Sequence, residues 1–154
     1  MGKFKPEIKY LVQLHTIMLV IVIVFTALAY IFSNKFYTNV VSDSVNEIVQ
    51  IIAVLLAIIL PTIAFVSHHK KRKLWQQSQA SFDQKITDYK ASCIRKFTLL
   101  EAPIVFAAIG YFRTQNVAFI LLSLVLIFVF AGQKPTVALM TYDMNIDKET
   151  LFDR

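Results

Sequence analysis

Residues 67–106 read SHHKKRKLWQQSQASFDQKITDYKASCIRKFTLLEAPIVF and separate two apolar halves of the chain. The stretch opens, at the end of an apolar run, with a cluster of four cations: Lys70, Lys71, Arg72 and Lys73. A polar segment follows, and a second apolar run begins at Phe97 and includes one acid, Glu101. This order predicts a hydrophilic arm that joins two apolar helical hairpins.

Apolar runs on both sides of the arm predict transmembrane helices. We place four of them, at about 9–32, 47–67, 97–112 and 116–132. The last two are shorter than the ~20 residues needed to cross a bilayer core, so their helices are expected to extend past the apolar limits. The 154 residues are 56% hydrophobic, more than a soluble domain usually contains. The predicted fold class is all-α: an integral membrane four-helix protein with a single membrane domain over 1–154, an amphipathic arm at 68–96 and a short tail at 133–154.

The placement of the sixteen lysines and arginines predicts the orientation of these helices. All but Lys35 and Arg113 precede the first run, lie between the second and third runs, or follow the fourth. Cytoplasmic loops of membrane proteins are enriched in these residues, so both termini, the arm and the tail are predicted to be cytoplasmic. The cluster Lys70–Lys73 is expected to contact anionic lipid headgroups. Nucleic-acid binding does not need such alternation, and no nucleic-acid partner is predicted.

The second run has one face of small residues. Ala53, Ala57, Pro61 and Ala64 recur every three or four positions and therefore share one side of a helix. In lipid, small residues allow two helix backbones to approach closely. We expect this helix-packing face to meet another helix, with a kink at Pro61, which lacks a backbone N–H.

The arm and the tail each have an amphipathic pattern. In the arm, larger side chains recur at helical spacing: Trp75, Phe82, Ile86, Tyr89 and Cys93. The predicted helix either lies on the membrane surface, continues straight into the third span, or projects as a hairpin. In the tail, Val137, Leu139, Met140 and Met144 predict a short amphipathic helix. The acids of this end, Asp143, Asp147, Glu149 and Asp153, are expected in the cytoplasm beside the basic arm.

Glu101 is the one acid inside an apolar run, where a charge is costly. His15 enters the first run at a similar depth from the same side, and Thr98 is close in depth. Pro103 leaves one backbone carbonyl free as a further acceptor. We expect a polar membrane cluster of Glu101, His15, Thr98 and Pro103. Three roles stay open: fixing helix register, handling protons or ions, or a surface acid that reaches the headgroups.

The chain contains no nucleotide-binding loop, zinc-protease helix or serine elbow, so we predict a non-enzymatic protein without a cofactor. Two of its three histidines, His68 and His69, are expected too near the water for haem ligation together with His15. With Cys93 they lack the regular spacing of a zinc site. Since Cys93 is the single cysteine, no intrachain disulfide can form.

Two short motifs, Leu99-Leu100-Glu101-Ala102-Pro103 and Lys134-Pro135-Thr136, support a family resemblance. The chain resembles a group of small four-transmembrane-helix proteins from the inner membrane of Gram-negative bacteria. In that group a leucine-rich Glu-Gly-Pro opens the third helix, and Arg-Pro-Thr follows the fourth. This chain has Ala102 in place of the glycine and Lys134 in place of the arginine. The resemblance implies a fold and a compartment, and it implies no activity.

Two functions follow from these observations. The first is a non-enzymatic subunit or accessory factor of a larger membrane complex, or a self-associating protein. Its partners would be other membrane subunits and the lipid bilayer. The second is a small proton- or ion-coupled transporter that uses Glu101 with His15.

Overall fold

A computed structural model describes residues 6–36 and 42–147, and the regular structure in this part of the chain is helical. Its helices are α1 (Pro6–Phe36), α2 (Asp43–Gln77), α3 (Phe82–Thr114), α4 (Val117–Ala131) and α5 (Val137–Met144). The predicted all-helical class is confirmed. All four predicted spans fall inside helices, apart from residues at their ends.

The bundle is built around α3, which packs against each of the other helices. Its buried apolar side chains recur every three or four residues, as on one face of a helix: Ile86, Tyr89, Cys93, Phe97, Leu100, Ile104, Ala107 and Tyr111. α1 runs parallel to α3, because the ring of His15 lies 5.1 Å from that of Phe97. Farther along the same two helices, Tyr30 stacks on Tyr111 at 5.8 Å.

The predicted arm is not a separate element. α2 continues through the basic cluster to Gln77, and α3 begins at Phe82, so residues 68–96 form the extended end of the α2–α3 hairpin. Of the three arrangements considered for the arm, the structure has the direct continuation into the apolar part of α3. The orientation of the arm is therefore set by the apolar parts of α2 and α3, which it continues.

We call the end of the molecule that includes residues 68–96 the basic end. The tail helix, α5, packs against α2 and α3 at this end. Met140 and Met144 are fully buried and join the same apolar cluster as Trp75 and Ile86. The stripe predicted along the arm thus faces α5 and the interior, and the apolar core of the bundle extends into the basic end.

α1 and α2 are long and apolar enough to cross a membrane. Within their most apolar windows, only 22% of α1 and 11% of α2 is buried. The core helix of a soluble protein hides its apolar residues, whereas these two helices direct most of theirs outward. α4 is a shorter apolar helix of 15 residues.

The small residues of α2 lie at its contact with α3. Ala53, Pro61 and Ala64 are buried and Ala57 is half-buried, while the isoleucines on the other sides of α2 are exposed. The helix continues through Pro61. The spacing of these residues therefore describes the side on which α2 meets its neighbour.

Close approach between α3 and α4 depends on Gly110. A Cβ atom at this position would lie 2.8 Å from two ring carbons of Phe119, whose side chain is buried. A buried phenyl ring has little room to move, because protein interiors are densely packed.

We expect Gly110→Ala to lower the free energy of unfolding by about 1–3 kcal/mol, the usual cost of overpacking. The measurement is a denaturation curve in mixed detergent micelles, followed by fluorescence of the single tryptophan, Trp75. Gly132→Ala is the matched control, since the nearest atom to its new Cβ is at an ordinary 3.5 Å. Equal midpoints for the two variants would show that α4 does not pack this closely on Gly110.

Candidate functional site

The imidazole of His68 on α2 contacts polar side chains of two other helices at the basic end. Its Nδ1 lies 3.0 Å from Ser92 Oγ on α3, and its Nε2 lies 3.3 Å from Asp143 Oδ2 on α5. An ionised carboxylate only accepts hydrogen bonds, so Nε2 carries the hydrogen that points to Asp143. In the neutral ring, Nδ1 then accepts from the Ser92 hydroxyl. One imidazole therefore joins three helices.

Asp143 is almost completely buried, with 1% of its surface exposed. Its Oδ2 accepts from His68 and from the Tyr89 hydroxyl at 3.5 Å. Its Oδ1 lies 3.9 Å from Arg72 Nη1 and accepts no hydrogen bond within the described residues. A buried carboxylate is costly unless charges and hydrogen bonds compensate it. Here the Arg72 guanidinium, the N–H of His68 and the Tyr89 phenol surround it.

The His68 ring packs against two aromatic side chains, which also contact each other. Ring centroids lie 5.7 Å apart for His68 and Trp75, 5.9 Å for His68 and Tyr89, and 5.4 Å for Trp75 and Tyr89. Two of these contacts are edge-to-face, the geometry that aromatic pairs prefer. Burial raises the pKa of Tyr89 far above its usual range, and the negative charge of Asp143 adds to the effect. Tyr89 therefore stays a neutral phenol that donates to the carboxylate.

Side chains of α2 and α3 also donate hydrogen bonds to backbone carbonyls of α5. Gln76 Nε2 donates to the Tyr142 carbonyl at 3.0 Å, and Lys85 Nζ donates to the Met144 carbonyl at 3.2 Å. The last carbonyls of a helix have no partner inside it, so side chains of α2 and α3 supply the missing donors. In return, Asn145 Nδ2 donates to the Gln76 carbonyl at 3.4 Å.

Asp143, His68 and Ser92 are the residue types of a serine-hydrolase triad, linked in a row. A nucleophile must be open to substrate and must lie beside free N–H donors for the oxyanion. Ser92 is buried in the interior of α3, where backbone N–H groups bond along the helix. This row of hydrogen bonds is therefore suited to holding α2, α3 and α5 together.

The predicted polar membrane cluster is not joined in this way. His15 Nε2 donates to the Phe130 carbonyl at 3.0 Å, and Thr98 Oγ1 donates to the Ile94 carbonyl of its own helix at 3.1 Å. Pro103 is buried. Glu101 is half-buried and makes no hydrogen bond or ion pair to any residue in 6–36 and 42–147. His15 and Glu101 thus share a region of the bundle without bonding to each other.

His15 serves instead as a cap for α4. The Phe130 carbonyl belongs to the last turn of α4, where it also accepts from the backbone N–H of Gln133 at 2.9 Å. The rings of Phe97 and Phe130 lie 5.1 and 5.0 Å from the imidazole, which is 1% exposed. Nδ1 of His15 is buried without a partner among the described residues.

The four residues of the basic cluster differ in their contacts and exposure. Arg72 is half-buried and turns toward Asp143, and its Cζ lies 5.4 Å from the centre of the Tyr142 ring. Lys70 and Lys73 are exposed, and Lys71 is half-buried. Of the acids predicted to lie beside the basic arm, Asp143 does so, while Glu149 and Asp153 lie outside the described residues.

Four members of this site, His68, Tyr89, Ser92 and Asp143, are not among the site residues predicted from the sequence. The pattern placed Tyr89 only in the apolar stripe of the arm, and His68 only as an unsuitable metal ligand. A signal for Asp143 was present, because it lies between Met140 and Met144 on the apolar side of a short amphipathic helix. An acid on such a side must find a compensating partner. Ser92 adjoins Cys93 on the buried face of α3, where a hydroxyl gives no comparable signal.

Cys93 provides a local reporter for this end of the molecule. Its side chain is buried, one helical turn from Tyr89. Burial raises the pKa of the Cys93 thiol from 9.0 to about 11. Because the thiolate is the reactive form, this shift alone slows labelling at pH 8 by roughly a hundredfold, and the rate rises with pH until the pKa is reached.

Among residues 6–36 and 42–147, no group of three or more His, Cys, Asp or Glu side chains could hold a metal ion. Comparisons of the chain with protein-family models, with curated proteins and with solved structures found no match.

We expect Asp143→Asn to loosen α5 from the arm, because the amide keeps the shape of the carboxylate but not its charge. The free energy of unfolding should fall by about 1–3 kcal/mol, the range for a buried charged hydrogen-bonding group. Labelling of Cys93 by a maleimide at pH 8 should accelerate at least tenfold. Asp147→Asn, at an exposed position of the same segment, is the control and should change neither value. Equal labelling of the two variants would contradict the role given to Asp143.

Proposed function

We propose that the protein is a four-span protein of a bacterial inner membrane, with the basic end in the cytoplasm. In this role it is a non-enzymatic subunit or accessory factor of a larger membrane complex. The outward-facing apolar surfaces of α1 and α2 support the membrane location. The apolar part of α3, 97–112, and the 15 residues of α4 supply the other two spans. The excess of cations at one end of the bundle supports the orientation.

The observation that carries the subunit proposal is the rigid arm. Beyond the apolar run, α2 continues over 68–77 and α3 precedes its own run over 82–96. At 1.5 Å per residue these extensions are about 15 and 22 Å long. α5 and the hydrogen bonds of His68 and Asp143 hold both extensions in place. A structure of this kind keeps a surface at a fixed height above a membrane.

The outer surface of the arm is suited to protein contact. It is polar and exposed at several positions: Gln77, Gln79, Asp83, Gln84 and Asp88. Leu74 stands among them with 66% of its surface exposed, although it lies outside the apolar runs. A surface that is already ordered binds a partner without the entropic cost of ordering it. An exposed leucine inside a polar rim is a usual element of such a contact.

Native mass spectrometry of the affinity-tagged chain, extracted in mild detergent, tests the proposal. We expect a stoichiometric protein partner, or a defined multiple of the chain itself. Leu74→Ala should reduce the amount of assembled complex at least fivefold, the effect of losing more than about 1 kcal/mol at a contact. Leu121→Ala is the matched control, because Leu121 is 60% exposed but belongs to α4, away from the arm.

A single copy of the chain with lipid alone, in repeated extractions, would contradict the subunit proposal. Equal losses for Leu74→Ala and Leu121→Ala would leave a complex but remove the arm as its contact.

The transporter is a second candidate, and one observation favours it. Two ionisable groups within the apolar part of the bundle have polar atoms without a hydrogen-bond partner among residues 6–36 and 42–147: His15 Nδ1, which is buried, and the half-buried Glu101 carboxylate. Proton-coupled transport needs groups that can change protonation inside the membrane.

If the chain transports protons or ions, proteoliposomes containing it should show a flux that Glu101→Gln reduces at least tenfold. Glu47→Gln is the control, since Glu47 is exposed near the start of α2. A flux equal to that of empty liposomes, or one that Glu101→Gln leaves unchanged, would rule out this mechanism.

A further inference from the structure

A groove of about 590 Å³ opens at the basic end of the molecule. The last turns of the apolar part of α2 and the basic cluster form one wall, and Gln133 and Leu139 form another. Lys96 of α3 also lines it. A volume of this size falls within the range of small-molecule sites.

The groove carries an excess of positive charge. Four cations line it, Lys70, Arg72, Lys73 and Lys96, against one acid, Asp143. The acid is already engaged, because its Oδ2 bonds to His68 and its Oδ1 faces Arg72. Cations therefore outnumber acids by four to one along the groove, although the charge of Asp143 also acts on Lys96.

His69 also presents a hydrogen-bond donor to the groove. Arg72 Nη2 donates to His69 Nδ1 at 2.6 Å. An arginine never accepts, so Nδ1 of His69 is the acceptor and the ring hydrogen of the neutral form is on Nε2. His69 lines the groove and can offer this N–H to an anion.

Lys96 is the most buried of the cations that line the groove, with 4% of its surface exposed. Its ammonium lies 5.7 Å from the centre of the Phe97 ring and makes no hydrogen bond or ion pair to any residue in 6–36 and 42–147. Burial lowers the pKa of Lys96, while Cys93 and Asp143 oppose that shift. A bound anion would supply the charge-assisted hydrogen bond that the described residues do not. Lysine is a common ligand of phosphate groups.

One end of the groove is apolar. Phe65 and Val66 line it next to the cations, and both are also exposed on the outer surface of α2. That surface continues into the outward-facing isoleucines of the same helix. A ligand that fills the whole groove therefore carries an anionic group at one end and hydrocarbon at the other.

We propose that this groove binds one anionic phospholipid, with Lys96 at its floor facing the headgroup phosphate and Phe65 and Val66 beside its acyl chains. The proposal rests on the proposed membrane location, which places the basic end at the depth of the headgroups. A free phosphate shares the anionic chemistry but lacks the hydrocarbon that the apolar end accommodates.

The test is native mass spectrometry of the purified full-length chain, titrated in detergent with phosphatidylglycerol, phosphatidylcholine or inorganic phosphate. We expect one phosphatidylglycerol to be retained per chain. Phosphatidylcholine, which has the same phosphodiester but no net charge, should bind at least tenfold more weakly. Inorganic phosphate should neither bind nor displace the lipid.

Lys96→Gln should weaken phosphatidylglycerol binding at least tenfold. Lys90→Gln is the control, since Lys90 lies on the same helix but contacts the Tyr10 ring, 4.3 Å from its centroid. Trp75 fluorescence reports whether each variant is folded. If Lys96→Gln does not fold, the double variant Lys70→Gln, Lys73→Gln replaces it, because both lysines are exposed.

Equal affinity of Lys96→Gln and the unmodified chain would overturn the site. Equal affinity for the two lipids would overturn its preference for anions, and tight binding of inorganic phosphate alone would overturn the assignment to a lipid. None of these measurements includes a protein partner, so a failure here is separate from a failure of the subunit proposal. The membrane location itself fails if the chain leaves the membrane without detergent.

Discussion

A buried carboxylate must have its charge compensated, and at the basic end this requirement organises three helices. Asp143 lies on α5, yet the groups that compensate it, His68, Arg72 and Tyr89, belong to α2 and α3. Separating α5 from the arm would therefore break the hydrogen bonds of Asp143 with His68 and Tyr89 and its contact with Arg72. The apolar contacts of Met140 and Met144 add to this connection, but they do not specify direction as hydrogen bonds do.

α3 links this polar end to the apolar body. Its one buried face runs without interruption from Ile86 in the arm to Tyr111 at the other end of the helix. Because the arm is a continuation of α2 and α3, its orientation follows from the packing below it, including the close approach at Gly110. The proposed roles share this basis: a fixed arm can present a partner surface, and its base can hold a lipid headgroup beside Lys96.

How much was predictable differs between elements. The alternation of small and large residues along α2 was enough to identify Ala53, Pro61 and Ala64 as the side of closest helix contact, because helical periodicity is local. The polar cluster predicted around Glu101 rests on the similar depth of its members, whereas His15 donates to the Phe130 carbonyl at the end of α4. Depth alone does not say which way a side chain points or which helix end lies beside it.

The sequence by itself determined the helical class, the apolar runs, the asymmetry of charge and the amphipathic stripes of arm and tail. These properties depend on composition and on a period of 3.6 residues, which a single chain displays directly. The tertiary structure decided which polar groups meet. His68 and Asp143 are 75 residues apart in the chain, and His15 and Phe130 are 115 apart. Hydrogen bonds require placement within a few tenths of an ångström, and only the packing of the helices sets such distances. For the stretch between the two apolar halves, the residues predicted an amphipathic arm, and the packing made it the rigid end of α2 and α3.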